Sequence, residues 1–251
     1  MTPSTSEPTV AMVVGGGRNI GRQIALTLAE HGHAVAVVVR ERLDEAEQVV
    51  AEIRGSGGAA AAYAADVASS AEIGRAVQAT VDDFGRIDVL VNCAAIRTYV
   101  SLLDLTDESW ERALGVNLSG PLYAARAALP HMVRQGGGAV INISGLAALM
   151  GGSNLGICMA TTKAGLHGLA HSIASEFGPH GVRANSVILS RIENAADEVS
   201  PERLQLELSG IPLRRIGTMH EVADLCAYLA SPSSSYLTGQ SIHLNGGKYM
   251  A

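Results

Sequence analysis

Short apolar segments alternate with amphipathic helical segments along almost the whole chain, and this alternation is the feature that most constrains the fold. Two of the apolar segments, residues 10–14 and 34–39, contain no polar side chain. Strands that are apolar on both faces are typical of a parallel sheet covered on both sides, and each crossover between parallel strands needs a connection that is usually a helix. The alternation therefore predicts an α/β fold with a doubly wound parallel sheet.

The periodicity predicts where the strands and helices lie. The predicted strands cover residues 9–14, 34–39, 60–64, 87–92, 139–144, 183–189 and 240–244. Helical periodicity fits between the strands, for instance at residues 20–31, 43–54, 70–84, 109–135 and 155–177. No linker, repeat or shift in composition interrupts the pattern, so we expect a single domain at residues 9–251 behind a polar tail at residues 1–8.

Composition excludes several classes of function. The 251 residues are 47% hydrophobic and 17% charged, which is typical of a globular protein with a large core. A net charge of −6 argues against nucleic acid as a partner. The apolar segments are too short to cross a membrane, and the tail has neither the cationic start nor the apolar stretch of a signal peptide. Three scattered cysteines do not indicate a disulfide framework. We expect a cytoplasmic protein.

A glycine-rich turn follows the first predicted strand, in the sequence Gly-Gly-Gly-Arg-Asn-Ile-Gly from Gly15 to Gly21. Glycines at a strand-to-helix turn let the backbone approach a pyrophosphate, which then lies at the helix N-terminus. This pattern predicts nucleotide-binding roles for Gly15, Arg18, Asn19, Ile20 and Gly21. A tight turn without a ligand is the simpler alternative.

Arg40 ends the second predicted strand. An acidic residue at that place favours NAD, whereas an arginine suits the 2′-phosphate of NADP, and Arg18 in the glycine-rich turn could pair with the same phosphate. Glu41 beside Arg40 weakens this interpretation, and a solvated surface arginine is the alternative. The cofactor predicted from these residues is NADP(H).

Further segments complete a resemblance to the short-chain dehydrogenase/reductase family over nearly the whole chain. They are Asp66-Val67, the run from Asn92 through Ala94 to Ala95, Asn117 in Val-Asn-Leu, Lys163, residues 212–217, residues 237–240 and residues 245–247. The resemblance implies a Rossmann-type sheet, a nicotinamide cofactor and a homo-oligomer, either a tetramer or a dimer. It also implies cofactor contacts from Asp66, Val67, Asn92, Ala94, Lys163 and Ile192.

Met159 stands where the family has its proton-donating tyrosine, four residues before Lys163. The family's serine aligns best with Gly145, so Ser144 could replace it only if the loop shifts. The resemblance implies that Lys163 holds the nicotinamide ribose hydroxyls and that Asn117 holds a relay water. The predicted catalytic positions are therefore Lys163, Asn117, Ser144 and Met159. Methionine has no proton to donate, so ordinary alcohol dehydrogenation is not expected.

His167 and His171 have the spacing that places two metal ligands on one helix face, but the sequence offers no third ligand, so no metal site is predicted. Cys158, next to Met159, lacks an assigned activating base and is interpreted as a small buried thiol.

Three functions remain open from the sequence. The first is an NADP(H)-dependent oxidoreductase acting on a small molecule that needs no proton from the enzyme, such as an imine, an iminium ion or a conjugated alkene. The second is a non-redox enzyme, namely a lyase, an isomerase or a cyclase, that uses the same cleft. The third is a non-catalytic binding or scaffold protein. The retained cofactor residues favour the first function.

Overall fold

The core of the protein is a sheet of seven parallel strands, described by a computed structural model that covers residues 8–151, 156–193 and 200–250. The strands are β1 (Val10–Val14), β2 (Ala34–Val39), β3 (Ala60–Ala64), β4 (Val89–Asn92), β5 (Gly138–Gly145), β6 (Val182–Leu189) and β7 (Ser241–Leu244). Their order in the sheet is β3-β2-β1-β4-β5-β6-β7. This is the predicted doubly wound parallel sheet, in which β1 and β4 are neighbours because the chain runs outward from them in opposite directions.

Helices connect the strands and cover both faces of the sheet. They are α1 (Asn19–Glu30), α2 (Leu43–Gly55), α3 (Ser70–Phe84), α4 (Asp107–Leu114), α5 (Gly120–Gln135), α6 (Ala147–Met150), α7 (Gly156–Phe177), α8 (Pro201–Ser209) and α9 (Met219–Ala230). A π-helical turn, Gly115–Ser119, joins α4 to α5. Within the described part of the chain, no helix is both long and apolar enough to cross a lipid bilayer.

Alternating residues of the strands divide the core into two layers. On β1, Ala11 and Val13 pack with α1, α2 and α9, whereas Met12 and Val14 pack with α3, α5 and α7. All four side chains are buried because successive residues of a strand point to opposite faces and helices cover both. The apolar runs of the sequence therefore correspond to strands without a solvent-exposed face.

Most predicted strands agree with the structure to within one residue at each end. The strand predicted at residues 87–92 begins only at Val89, and the backbone N–H and carbonyl of Ile87 bond to the Gln135 side chain at 3.1 and 3.0 Å instead of to a neighbouring strand. The last predicted helix lies at Gly156–Phe177, and residue 155 falls outside the described residues, as do residues 1–7 of the predicted tail.

The helix predicted at residues 109–135 is wrong as a single helix. The π-helical turn Gly115–Ser119 separates α4 from α5, and it contains Asn117. Such turns are rare and often occur at functional sites. A hydrophobic period near 3.6 residues continues on both sides of the turn, so the interruption left no signal in the sequence pattern.

Asn185, on β6, hydrogen-bonds the segment that leads into β7, so replacing its side chain should destabilise the fold. Its side-chain amide donates to the Leu237 carbonyl at 2.9 Å and accepts from the Gln240 N–H at 2.9 Å, and the residue is buried. We expect Asn185→Ala to lower the free energy of unfolding by about 2–4 kcal/mol, since two backbone groups lose their partner. Urea denaturation followed by circular dichroism measures this change.

The exposed Gln240 provides the control, because among the described residues its side chain bonds only to the Thr238 carbonyl, two residues away. Gln240→Ala should change the free energy of unfolding by less than about 0.5 kcal/mol. Equal stability of Asn185→Ala and the unchanged protein would contradict the assignment.

Candidate active site

The residues predicted to be functional collect at the carboxyl edge of the sheet. Ligands of doubly wound sheets bind at this edge, in the crevice where the strand order reverses, here between β1 and β4. The predicted residues that follow or end strands are Gly15 to Gly21 after β1, Arg40 after β2, Asp66 and Val67 after β3, Asn92 and Ala94 at β4, Ser144 on β5, and Ile192 after β6.

The glycine-rich turn closes against the loop that follows β4. Gly15 has a φ of +86°, and a Cβ atom built on it would lie 2.7 Å from the backbone of Ala94. A Cβ atom on Gly21 would collide with the Gly15 carbonyl oxygen. The Ala94 N–H donates to the Val14 carbonyl at 2.8 Å, which fixes the two loops side by side. A side chain at either position would collide with backbone atoms, so only glycine fits there and the turn presents main-chain atoms without side chains.

Helix α1 begins directly after this turn with backbone donors that no side chain caps. Arg18 is the N-cap residue with an extended φ of −152°, and its side chain makes no capping hydrogen bond. Asn19 takes a left-handed φ of +48°, a conformation that asparagine tolerates better than most residues. The first turn contains Ile20 and Gly21. Open N–H groups at a helix N-terminus form a site for a phosphate, so this end of the crevice fits a pyrophosphate.

The ends of β2 and β3 carry charged side chains in ion pairs. Arg40 pairs with Glu41 at 2.8 Å, and both are exposed. Asp66 accepts from the Ala68 N–H at 2.9 Å and from the Arg112 guanidinium at 2.9 Å. Burial raises the pKa of Asp66, but the bonds from Ala68 and Arg112 together hold it below its usual value. The carboxylate thus stays ionised and orders its own loop.

Asn92, at the end of β4, is buried beside a second asparagine of the neighbouring strand. Its side-chain nitrogen Nδ2 donates to the side-chain oxygen Oδ1 of Asn142 at 2.9 Å, and the two residues are paired in the register of β4 and β5. Its own Oδ1 atom is the one buried side-chain oxygen or nitrogen without a partner among the described residues. Such orphaned acceptors are rare in folded proteins and indicate a missing ligand or water, so the crevice fits a bound donor here.

Lys163, on α7, is buried and has no carboxylate partner among the described residues. Its ammonium donates to the Ile143 carbonyl at 2.6 Å. Burial lowers the pKa of Lys163 to about 8, the Cys93 thiol nearby opposes this shift, and the charge of Arg97 adds to it. One bond leaves the other donors of the ammonium available to a ligand. The structure therefore places a hydrogen-bonding cation at the same edge of the sheet as Asn92.

Cys93, next to Asn92, was not predicted to be functional. Burial raises the pKa of its thiol to about 11, although the positive charge of Lys163 works in the opposite direction. The thiol therefore stays protonated at neutral pH and is not an activated nucleophile. Cys158 and Cys226 are fully buried free thiols, in agreement with the structural role expected for Cys158.

The π-helical turn holds Asn117 against the loop after β4. The side-chain oxygen Oδ1 of Asn117 accepts from the Ile96 N–H at 2.8 Å, and its side-chain nitrogen Nδ2 donates to the Ile96 carbonyl at 3.0 Å. The same amide lies 3.7 Å from the Met159 sulfur and 3.4 Å from the Thr162 hydroxyl. Met159 thus faces Asn117 with a weak acceptor that carries no proton.

Ser144 contacts α7 through both of its hydrogen bonds. Its hydroxyl donates to the Lys163 carbonyl at 3.0 Å and lies 2.9 Å from Nε2 of His167. Burial lowers the pKa of His167, and the neighbouring His171 and His243 lower it further. In this arrangement Ser144 ties β5 to the helix that carries Lys163, and its predicted hydrogen bond to a substrate remains untested.

Two predicted cofactor residues act through the backbone or through packing. Ile192 is buried and forms a parallel bridge with Gly217 after β6. Val67 packs against α5, where a Cβ atom on Gly120 would lie 2.5 Å from its Cγ2 atom. Neither side chain presents a polar group, so a contact with a nucleotide would be apolar.

The described residues contain no cluster of three histidine, cysteine or acidic side chains that could hold a metal ion. His167 bonds Ser144, whereas His171 is exposed. Asn142 and His167 are site residues that sequence reasoning missed. An asparagine inside the apolar strand β5 was a visible signal for the first, but the link from His167 to Ser144 depends on the packing of α7.

Comparisons with known proteins agree with this geometry. A family model described as enoyl-(acyl carrier protein) reductase matches residues 15–248. The chain is 38% identical over 257 residues to the short-chain reductase protein NovJ of Streptomyces niveus, covering 98% of this chain and 95% of that protein. It is 39% identical over 241 residues to the 3-oxoacyl-[acyl-carrier-protein] reductase FabG of Staphylococcus aureus, covering 96% of this chain and 98% of that protein.

The fold also matches solved structures along its whole length. A short-chain dehydrogenase/reductase from Serratia marcescens superposes with a TM-score of 0.91 at 32% identity, covering 96% of this chain and 97% of that chain. The doubly wound sheet of this protein is therefore the fold of that solved structure.

Because Lys163 is buried, we expect it to lower the stability of the fold at neutral pH, and we expect replacement of this lysine to raise that stability. Below its folded pKa of about 8, Lys163 is a buried ammonium in the folded state, and its burial lowers the free energy of unfolding. This destabilisation decreases as the pH rises towards the ordinary lysine pKa of 10.5. The shift corresponds to about 3 kcal/mol. We expect Lys163→Met to unfold at higher urea than the unchanged protein near neutral pH, with the advantage shrinking between pH 8 and 10.5.

Lys248→Met, which removes the other lysine, is the matched control and should show no such pH-dependent advantage. If Lys163→Met shows the same stability difference at every pH in that window, the lysine is not titrating as proposed.

Proposed function

Because the chain belongs to the short-chain dehydrogenase/reductase family, we propose that it is an NADP(H)-dependent oxidoreductase whose substrate accepts a hydride without a proton from a tyrosine. One observation carries this proposal. The groups that suit a dinucleotide are present at the crevice, namely the glycine-rich turn, the orphaned Asn92 oxygen and Lys163, while Met159 lies beside Asn117 without a proton to give. The names of NovJ and FabG as reductases support the same reaction class.

The cofactor, when bound, supplies or accepts the hydride. The open N–H groups of α1 would hold the pyrophosphate, and the Lys163 ammonium, which donates to the Ile143 carbonyl, would also donate to the ribose hydroxyls. Asn92 offers its free oxygen as an acceptor. These residues bind and orient, and none of them needs the missing tyrosine.

Met159 changes what the site can do with protons. A positioned general acid contributes roughly 10²–10⁴-fold to a reaction that needs one, and a thioether cannot take that role. The Asn117 amide, already bonded to the Ile96 carbonyl, faces the Met159 sulfur at 3.7 Å. The site therefore favours a substrate whose hydride transfer is separate from proton transfer, such as a conjugated alkene or an iminium ion.

The charges near the site favour the conjugated alkene over the iminium ion. Lys163 is protonated at neutral pH, and Arg97 lies close enough to influence its pKa. Hydride addition to a conjugated carbonyl compound places negative charge on the carbonyl oxygen, which nearby cations stabilise. A cationic iminium substrate would be repelled by the same charges. The family model's description as an enoyl reductase agrees with this preference.

Apolar side chains border the same region and fit an apolar substrate. Gly156 packs against the backbone of Thr98 and Tyr99, so the start of α7 touches the loop after β4. The exposed large apolar side chains on these segments and on α6 are Tyr99, Val100, Leu102, Leu103, Leu149, Met150 and Ile157. We also propose a homo-oligomer, a tetramer or a dimer, and a cytoplasmic location.

Calorimetric titration with NADPH, NADP, NADH and NAD tests the cofactor proposal first. We expect NADPH to bind at least about 10-fold more tightly than NADH, a difference of about 1.4 kcal/mol, because Arg18 and Arg40 favour the 2′-phosphate. No binding of any of the four nucleotides would overturn the redox function and point to a non-redox enzyme or a scaffold protein.

Restoring the family's acid tests the role of Met159. A Cβ atom on Gly145 would meet only the Leu189 carbonyl, at 3.6 Å, so a serine fits there. We expect the double variant Met159→Tyr with Gly145→Ser to gain about 10²–10⁴-fold in NADPH-dependent ketone reduction. The unchanged protein should instead oxidise NADPH with α,β-unsaturated ketones.

The matched control is Met159→Phe with Gly145→Ser, which adds the aromatic ring without the hydroxyl and should gain no ketone reduction. If the tyrosine variant binds NADPH and still reduces no ketone in a broad panel, loss of the acid does not explain the site.

A further inference from the structure

The surroundings of Lys163 favour its neutral amine form. The residue is only 5% exposed, and no carboxylate in the described ranges lies within ion-pair distance of its nitrogen. Met159, one turn earlier on the same face of α7, carries a thioether that cannot ionise. Among the nearby titratable groups, the Cys93 thiol stays protonated because burial raises its pKa to about 11, and the charge of Arg97 disfavours a second positive charge. No negative charge of the described residues therefore balances the ammonium.

The hydrogen bond from Lys163 to β5 orients the nitrogen. Its Nζ atom donates to the Ile143 carbonyl at 2.6 Å, near the carboxyl end of the strand. A neutral amine has two N–H groups and one lone pair. When one N–H group is held by the Ile143 carbonyl, the lone pair points away from that oxygen. The nitrogen is thus fixed in place with its lone pair available to an electrophile.

We infer that Lys163 captures aldehydes as a Schiff base, an activity separate from the proposed hydride transfer. The Lys163 nitrogen attacks the carbonyl carbon, a C–N bond forms, and the carbonyl oxygen leaves as water with the two hydrogens of the neutral amine. No oxidant or reductant is needed. A Schiff base is the covalent intermediate through which lysine enzymes activate carbonyl substrates. The apolar side chains that border this region suit an uncharged aliphatic aldehyde.

Burial makes the reactive form of Lys163 abundant at neutral pH. It lowers the pKa of Lys163 to about 8 from the ordinary value of 10.5. At pH 7 about a tenth of the Lys163 side chains are then neutral, roughly 300 times the neutral fraction of an ordinary lysine. Desolvation and a neighbouring cation are the two ways in which proteins activate a lysine nucleophile, and both act here.

The chain allows a direct test because it contains only two lysines, Lys163 and Lys248. The protein is incubated with butanal and sodium cyanoborohydride, which reduces a Schiff base to a stable secondary amine, and the alkylated peptides are quantified by mass spectrometry. At pH 7 we expect Lys163 to be alkylated at least about 10-fold faster than Lys248. The ratio should fall as the pH approaches 10.5, where an ordinary lysine also becomes neutral.

Two variants of Met159 separate an activated lysine from one that is merely accessible. Met159→Glu places a carboxylate one turn from Lys163, which should raise the lysine pKa and slow its alkylation at pH 7 by about 10-fold or more. Met159→Gln has nearly the same shape without the charge and should change the rate less than about 3-fold. Equal alkylation of the two lysines in the unchanged protein, or equal rates for Lys163 in the two variants, overturns the inference.

NADPH distinguishes this activity from the proposed function. If the ammonium donates to ribose hydroxyls, saturating NADPH should slow the alkylation of Lys163 at least about 5-fold and leave that of Lys248 unchanged. Selective alkylation of Lys163 in a protein that binds no nucleotide overturns the proposed function and supports the inference. Nucleotide binding without selective alkylation overturns the inference alone.

Discussion

A parallel sheet that is covered by helices on both faces is the constraint on which the rest of this structure depends. The strands contain few polar side chains, since their interior positions contact α1, α2 and α9 on one face or α3, α5 and α7 on the other. Polar groups can reach a ligand at the carboxyl ends of the strands, where the backbone turns into loops and helix N-termini. The glycine-rich turn, Asn92 and Ser144 all lie at that edge as a result.

Much of the fold could be predicted because its signals are local. The apolar run from Ala34 to Val39 and the glycines after β1 identify a buried strand and a close turn within a few residues. The π-helical turn at Asn117 was not predicted, and the two hydrogen bonds of its Asn117 side chain go to Ile96, twenty-one residues away in the sequence.

The site was predictable as a set of positions but not as a set of contacts. The resemblance placed Lys163, Asn117 and Met159 on elements that the structure brings together. Which atoms pair depends on side-chain rotamers and on the packing of α7, so the bond from Ser144 to His167 and the orphaned Asn92 oxygen had no counterpart in the pattern. The sequence showed Arg40 and Glu41 only as neighbours, whereas the structure shows that their side chains form an ion pair at 2.8 Å.

Lys163 connects the stability of the protein to its proposed activity. Beside a tyrosine, a lysine at this position would both bind the cofactor and lower the pKa of the acid, but beside Met159 only the first role remains. In the folded protein the buried Lys163 ammonium donates to the Ile143 carbonyl, and its lowered pKa corresponds to a cost of about 3 kcal/mol. Ribose hydroxyls would satisfy the remaining donors and offset part of that cost. A buried cation that lowers the stability of the fold is explained best by a ligand that it binds, which favours the proposed nucleotide binding over a purely structural cleft.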